Sequence, residues 1–368
     1  MLPIKLNVVQ PLLLRWFRKN KRPLPWRKTR DPYAIWVSEI MLQQTQVNTV
    51  IPYYERWMKQ FPTVQQLSEA PLSRVLKLWE GLGYYGRARN LHKSAKIIDK
   101  KLAGEFPNTS EKLRALPGIG RYTAGAIASI AFGERAPVLD GNVMRVLSRI
   151  FAVKEPVDQT EGKKKLWEIA ERLVWAGLPR PYNPGDFNQS LMELGALVCL
   201  PENPKCLECP GAKICEAHRL KKEVLFPVRN SREKGLKLNT VAAVIWNKRN
   251  VLLQKQPLDA RWGGLWMFPH WIYTNGIPET KFLQEKIKRE FGIKAGNLIK
   301  KQEIIHGFTK YRVRLQVYET KVGARRAVPL QSDRPSTFNT MTRWVSPQKL
   351  PRLALPRPHQ KIAQSLNE

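Results

Sequence analysis

Over the first 220 positions apolar residues recur at helical spacing, and past residue 238 they give way to strand-like runs, so the chain divides into a helical part and a mixed part. Val8 to Lys19 reads as an amphipathic helix. A second helix starts at Asp31, with Pro32 in its first turn, and runs through Trp36, Glu39 and Leu42 to Thr45. Between them, the loop Lys21 to Arg27 carries two prolines and presents an aromatic, basic edge. Tyr122 to Phe132 predicts a helix of small residues able to pack closely, and Pro117, Gly118 and Gly120 break the helix before it, so two helices meet in a tight glycine turn. From Asp140 the pattern is helical through Leu200, with Trp167 and Trp175 as core candidates. Charges from Lys221 on, Pro227 and the loss of apolar period mark a linker over 223–237, between a domain at 1–222 and another at 238–368. In the latter, Thr240–Trp246 and Val251–Gln254 predict a strand hairpin, Lys281–Phe291 a helix and Tyr311–Tyr318 an alternating strand, giving an α+β fold.

Composition sharpens this picture. At 368 residues, with 43% hydrophobic residues and 12 Trp, the chain is long enough for two domains that each bury a core. Lys and Arg number 63 against 30 Asp and Glu, a net charge of +33 that points to a polyanionic partner. An acidic membrane is the rival partner, but the sequence has no long apolar span and no strongly amphipathic basic helix. The first twenty residues lack an export signal, so the expected location is cytoplasmic.

Several residues offer chemistry. The Gly118 to Gly120 amides at a helix start suit a phosphate, although the same turn serves an ordinary helix connection. Asp140 follows the apolar run Pro137-Val138-Leu139 at another helix start, where a carboxylate is either a plain N-cap or a functional group. Glu39 sits among Ile35, Trp36, Ile40, Met41 and Leu42; it is either a desolvated acid with a raised pKa or a side chain on a wet face. The loop Gly81 to Arg89, with Tyr84, Tyr85, Arg87 and Arg89, has the composition of a nucleic-acid wedge or of a turn packed on itself. All four cysteines fall in one segment, Cys199-x6-Cys206-x2-Cys209-x5-Cys215. Such a set can ligate one metal centre, and disulfides suit it poorly without an export signal. Zinc usually pairs two short knuckles and only one is present, so iron-sulfur fits better, with zinc the alternative.

Together, Glu39 in SEIMLQQT, the loop GLGYYGRARNLH, the hairpin LPGIGRYTAGA, the segment VLDGNVMRV and the cysteine loop resemble the helix-hairpin-helix DNA glycosylases, and within them the adenine-specific branch typified by MutY. The resemblance covers residues 5 to 220. It implies an all-helical domain of two lobes with DNA bound between them as a monomer, and one 4Fe-4S cluster on Cys199, Cys206, Cys209 and Cys215. The implied partner is duplex DNA holding adenine opposite 8-oxoguanine or guanine, which places the protein at the nucleoid. Glu39 would protonate the leaving adenine and ionised Asp140 would stabilise the cationic sugar, two carboxylates in opposite protonation states. Tyr122 and Asn142 would orient groups around the sugar and water. The endonuclease III branch has a lysine at the Tyr122 position that forms a Schiff base; a phenol cannot, so the implied enzyme is monofunctional. Arg22, Leu24, Trp26, Arg27 and Gln189 resemble the pocket for the extruded adenine, and Gln44 and Tyr84 the residues that fill or wedge the duplex. The C-terminal part resembles the family's Nudix-like domain, which reads 8-oxoguanine. Ile287 to Gly292 keeps only one acid, so a second hydrolase activity is not expected. Phe308-Thr309-Lys310 stands where the family has Phe-Ser-His; the wedge and hydroxyl remain, but lysine cannot accept a hydrogen bond, which puts the strength of lesion discrimination in question. The alternatives are an endonuclease III-like glycosylase/lyase for oxidised pyrimidines and a non-catalytic iron-sulfur DNA-binding protein.

Overall fold

The computed structural model describes residues 2–176, 183–230, 235–274, 277–308, 311–322 and 341–367, with side chains from residue 8 onward and that of Phe308 excepted. Thr309 and Lys310 lie outside the described residues, as does the Phe308 side chain. Contacts divide the chain into two units, Met1–Glu69 with Lys93–Arg232, and Ala70–His92 with Glu233–Glu368.

The first unit is helical. Along the chain come α1 (Leu2–Asn20), α2 (Pro32–Leu42), α3 (Val47–Gln60), α4 (Val64–Glu69), α5 (Leu72–Leu78), α6 (Gly86–Lys101), α7 (Ser110–Leu113), α8 (Arg121–Phe132), α9 (Gly141–Phe151), α10 (Thr160–Trp175), α11 (Pro184–Leu197) and α12 (Glu216–Arg219). Of these, α5 and the start of α6 fall in the second unit. Val9 and Leu13 of α1 pack with Val146 and Leu147 of α9, Leu166 and Leu173 of α10, and Phe187, Leu191 and Leu194 of α11. α2 starts as its sequence dictates. Asp31 accepts the Tyr33 and Ala34 amides at 3.0 and 3.3 Å, and Pro32 opens the first turn where no N–H is needed. Every residue from Tyr33 to Met41 is buried, so α2 is a core helix with no wet face, and Glu39 is inside. The helix ends at Leu42 rather than running to Thr45; Gln44 is left-handed at φ 56°, which stops helical propagation. A Cβ on Gly125 would meet the Pro137 carbonyl at 2.2 Å, so only glycine lets the segment leading to Asp140 lie directly on α8.

Two expectations change. Trp175 is 62% exposed as the last residue of α10, with the Arg135 guanidinium over its ring; Trp167 is partly buried beneath Arg121. The segment read as a linker from 223 is pinned along 223–230. Arg149 Nε donates to the Glu223 and Phe226 carbonyls at 2.8 and 3.0 Å, and the Val157 amide donates to Val228 O at 3.0 Å. Backbone carbonyls held this way leave no hydrophobic period for a sequence reading to detect.

The second unit holds β1 (Leu236–Asn247), β2 (Asn250–Lys255), β3 (Trp266–Met267), β4 (His270–Ile272), α13 (Glu279–Phe291), β5 (Ile299–Phe308), β6 (Tyr311–Lys321), β7 (Thr342–Val345) and α14 (Arg357–Ser365). The sheet order is β3-β2-β1-β6-β5, with β4 on β1 and β7 on β2. β1 and β2 form the expected hairpin, and β1 also runs parallel to β6 from Leu236↔Tyr311 to Trp246↔Lys321. Val241, Ala243 and Ile245 meet α13, while Ala242 and Val244 face the cluster that includes Ile362 of α14. Two covered faces explain why β1 reads as an unbroken apolar run.

Residues 70–92 are built into this unit, whereas the sequence places them with the helical domain. Leu355 N–H donates to Glu80 at 2.8 Å and Arg89 donates to Gly263 O at 3.0 Å.

A histidine cluster surrounds Trp262 in the same unit. Phe268 N–H donates to His359 Nδ1 at 3.2 Å, and the His270 and His359 rings lie 5.2 Å apart. Burial pushes His270 down to about 4 and His359 well below the usual imidazole range. The unfolded chain therefore takes up protons that the folded one refuses. Stability is full above pH ~6.5 and falls toward pH ~4 by about 1.4 kcal/mol per pH unit per histidine. Hydrogen exchange of β1 amides, corrected for intrinsic rate, is expected to accelerate between pH 7.5 and 5.5. His359→Asn, whose amide oxygen can still take the Phe268 N–H, is expected to flatten that dependence, and a pH-independent wild type would remove the histidines as its cause.

Candidate active site

One cleft of about 620 Å3 gathers most of the residues singled out in the sequence. α2 brings Glu39, α8 brings Tyr122 from its first turn, and α9 starts on Asp140 and carries Asn142. α11 adds Gln189, Met192 and Glu193; the loop after α1 adds Arg22, Leu24, Trp26 and Arg27; Gln44 lies on the rim.

Glu39 is 5% exposed, and Tyr122 Oη donates to its Oε2 at 2.8 Å. Desolvation raises the Glu39 carboxyl to about 7, outweighing the Tyr122 hydrogen bond and the Arg27 charge that favour the anion. Tyr122 is itself raised well above the ordinary phenol range by burial and by Glu39, so it stays a neutral donor. Asp140 is both N-cap and cleft wall. Its Oδ1 accepts Val143 N–H at 2.7 Å and its Oδ2 accepts Asn142 Nδ2 at 3.2 Å. Burial raises the Asp140 carboxyl, while the Val143 amide, Arg145 and Asn142 act against that rise. The two acids thus sit in different surroundings, Glu39 with a single hydroxyl donor and Asp140 at a helix N-terminus that favours the anion.

The same cleft holds an ion cluster in which Arg22 and Arg27, both expected there, meet Glu193, which the sequence reading did not include. Glu193, 1% exposed in its side chain, accepts Arg22 through N–H, Nε and Nη2 at 2.8, 3.0 and 2.7 Å, and Arg27 through Nη1 and Nη2 at 2.9 Å each. Burial would raise this carboxyl, but Arg27 and Arg22 outweigh it and hold it down to about 2. Arg27 Nε donates to Gln189 Oε1 at 3.2 Å. Both arginines are therefore fixed by Glu193, and they line the cleft together with Leu24, Trp26 and Gln189. Glu193 was detectable in principle as an acid inside the apolar stretch SLMELG, the same signal that marks Glu39.

Arg145 and Arg149, one helical turn apart on α9, were also missed. Arg145 Nη2 donates to Asn142 Oδ1 at 2.9 Å and to Gly195 O at 2.7 Å, and its Nε donates to Cys199 O at 2.7 Å. Asn142 is thereby turned to offer its amide nitrogen to Asp140. Arg149, 2% exposed, donates to Cys199 Sγ at 3.3 Å and to the Leu200 and Pro201 carbonyls at 2.6 and 2.9 Å, which shapes the cysteine loop.

The four cysteines line one pocket with Arg149, His218 and Glu223, and none forms a disulfide. Burial raises the Cys206 thiol to about 11, with Glu223 adding to it, and the Cys209 thiol to about 12, with the other cysteines adding to it. Thiols crowded this way ionise together only around a cation, and four sulfur donors suit a soft metal centre.

Gly118 and Gly120 do not line the cleft; Gly118 is left-handed at φ 80° and Gly120 caps α8 without a side chain. A Cβ at Gly120 would meet nothing within 4 Å, so internal packing does not require glycine there. Tyr84 belongs to the second unit, where it is 51% exposed.

The class of protein is a base-excision DNA glycosylase, on its likeness to known families. Residues 37–172 match the family described as HhH-GPD superfamily base excision DNA repair protein, and residues 241–365 match the NUDIX domain. A solved thermostable thymine-DNA glycosylase is 30% identical and superposes with a TM-score of 0.52 over 59% of this chain and 97% of its own. Adenine DNA glycosylase of Homo sapiens is 35% identical over 407 residues, covering 95% of this chain and 72% of that protein. That of Buchnera aphidicola subsp. Baizongia pistaciae is 39% identical over 296 residues, 78% of this chain and 82% of its own length. The chain belongs to the adenine DNA glycosylase family. It is a DNA-binding hydrolase of base-excision repair. Among the described residues no helix is long and apolar enough to cross a membrane.

Proposed function

We propose that the cleft hydrolyses the N-glycosidic bond of adenine standing opposite 8-oxoguanine or guanine in duplex DNA. The observation that carries this reading is the pair of cleft carboxylates in unlike surroundings, Glu39 raised to about 7 and Asp140 held by Val143 N–H and Asn142. Protonated Glu39 gives its proton to an imidazole nitrogen of the leaving adenine as the C1′–N9 bond breaks and its electron pair goes to the base. Ionised Asp140 stabilises the cationic sugar until water adds to C1′. Tyr122 holds the Glu39 carboxyl in place, Asn142 orients Asp140 and the water, and no amine stands at 122 to form a Schiff base, which makes the enzyme monofunctional. Arg22, Leu24, Trp26, Arg27 and Gln189 receive the extruded adenine, with the two arginines held in place by Glu193. Gln44 and Tyr84 occupy the stack the base has left, and Gly118 and Gly120 seat a phosphate. Cys199, Cys206, Cys209 and Cys215 hold one 4Fe-4S cluster, whose bonds would cross-link the loop at four points. The C-terminal unit reads the base opposite adenine through Phe308 and Thr309.

Adenine release from duplexes with 8-oxoguanine, guanine or thymine opposite tests the reading. Release is expected with the first two and without a strand break; a covalent adduct trapped by borohydride would mark a lyase instead. With an ammonium at 310, the preference for 8-oxoguanine over guanine is expected to rise in Lys310→His, and the salt slope of binding to become shallower by about one charge. If neither quantity moves, Lys310 has no part in reading the lesion.

A further inference from the structure

Within the second unit the loop that carries Tyr84 has a backbone its sequence alone would not choose. Gly81, Gly83 and Tyr84 have φ of 102°, 73° and 48°, and a left-handed tyrosine is strained. The residue is nonetheless 51% exposed. Such a conformation persists only where the surroundings over-determine it. Inside the loop, Trp79 Nε1 donates to Gly83 O at 3.0 Å, and the Arg87 guanidinium lies over both the Trp79 and Tyr84 rings. Outside it, the fastening is to the chain just before α14. Leu355 N–H donates to Glu80 Oε1 at 2.8 Å, Tyr85 Oη donates to Leu355 O at 3.3 Å and receives Gly81 N–H at 3.5 Å. Lys77 pairs with the other Glu80 oxygen and donates to Leu353 O at 3.1 Å. Both backbone polar groups of Leu355, a residue 2% exposed, are engaged by the segment bearing the loop. That backbone is itself anchored, since Trp266 N–H of β3 donates to Ala354 O at 3.0 Å and Gln360 of α14 donates to Leu355 O at 2.8 Å.

We propose that Glu80, with Tyr85, is a positioning residue through which the Leu355 backbone holds Tyr84 in its exposed, left-handed form for entry into the base stack. The inference rests on the reading that Tyr84 enters the stack, and it assigns control of that side chain to the unit proposed to read the opposite base.

The test uses the full-length protein with Glu80→Ala and, as a milder variant that removes only a hydroxyl, Tyr85→Phe. Amide hydrogen exchange over residues 81–86 is expected to accelerate tenfold or more, relative to the amides of β1, in Glu80→Ala and less in Tyr85→Phe. Exchange at the wild-type rate in both variants overturns the proposal. In adenine excision, Glu80→Ala is expected to weaken duplex affinity about tenfold while the single-turnover rate at saturating DNA holds, and to weaken it less than twofold further in a Tyr84→Ala background. Fully additive losses also overturn it. If Tyr84→Ala changes neither affinity nor rate, the stack-entry reading fails by itself, and the exchange measurement still decides the positioning.

Discussion

Glu39→Gln is expected to lower single-turnover adenine excision by about 10²–10⁴-fold while leaving duplex binding nearly intact, because the amide keeps the shape and the Tyr122 hydrogen bond but has no proton to give. Asp140→Asn is expected to cost a similar amount, because the proposed mechanism places its negative charge beside the cationic sugar. The pH dependence separates the two. In the proposed mechanism Glu39 acts protonated, and its carboxyl is raised to about 7, so wild-type excision is expected to fall as pH rises through about 7. Stability carries a second sign. A carboxyl whose folded pKa is raised favours the fold below its unfolded value of ~4.3 and opposes it as pH climbs toward 7, by a few kcal/mol for a shift of this size. Glu39→Gln should therefore melt higher than wild type at pH 8 even as it loses activity, the signature of a group retained for chemistry. Wild-type excision by Glu39→Gln would rule Glu39 out as the proton donor, and a lower melting point at pH 8 would rule out the raised carboxyl.

The next largest effect is expected from Arg149→Met. This buried guanidinium meets four backbone carbonyls, those of Leu200, Pro201, Glu223 and Phe226, as well as Cys199 Sγ. Methionine fills much of the volume and satisfies none of them. Unpaired buried carbonyls cost about 1–3 kcal/mol each before relaxation, so a loss of about 3–5 kcal/mol is expected, with loosening of the chain from 199 to 226. The iron and sulfide of the proposed cluster should drop with it, read by metal analysis and by absorbance near ~400 nm. Excision should fall as well, since Arg145 links Cys199 O to Asn142 and Asn142 to Asp140. An Arg149→Met protein with full iron content and unchanged melting would show that the cysteine loop is shaped without it.

The sequence by itself determined what local chemistry and periodicity determine. Asp31 and Pro32 start α2, Asp140 starts α9, and the glycine turn before Tyr122 starts α8, because caps and left-handed turns depend on neighbouring residues alone. The β1–β2 hairpin was legible for the same reason, and the cysteines were legible because spacing survives in one dimension. Tertiary structure decided the remainder. Whether Glu39 was wet or buried depended on what covers α2 on every side, and periodicity cannot see a helix apolar all round. The arginine clamp on Glu193 joins residues more than 160 positions apart, and the parallel β1–β6 register joins strands some 75 apart; single residues stand out in each segment, but which of them pair does not. Trp175 was assigned to the core because aromatic residues usually bury, yet burial is a property of the surroundings and not of the residue. The place of residues 70–92 was likewise decided in three dimensions, by hydrogen bonds to Leu353, Leu355 and Gly263 that are backbone contacts on one side and so carry no side-chain signature.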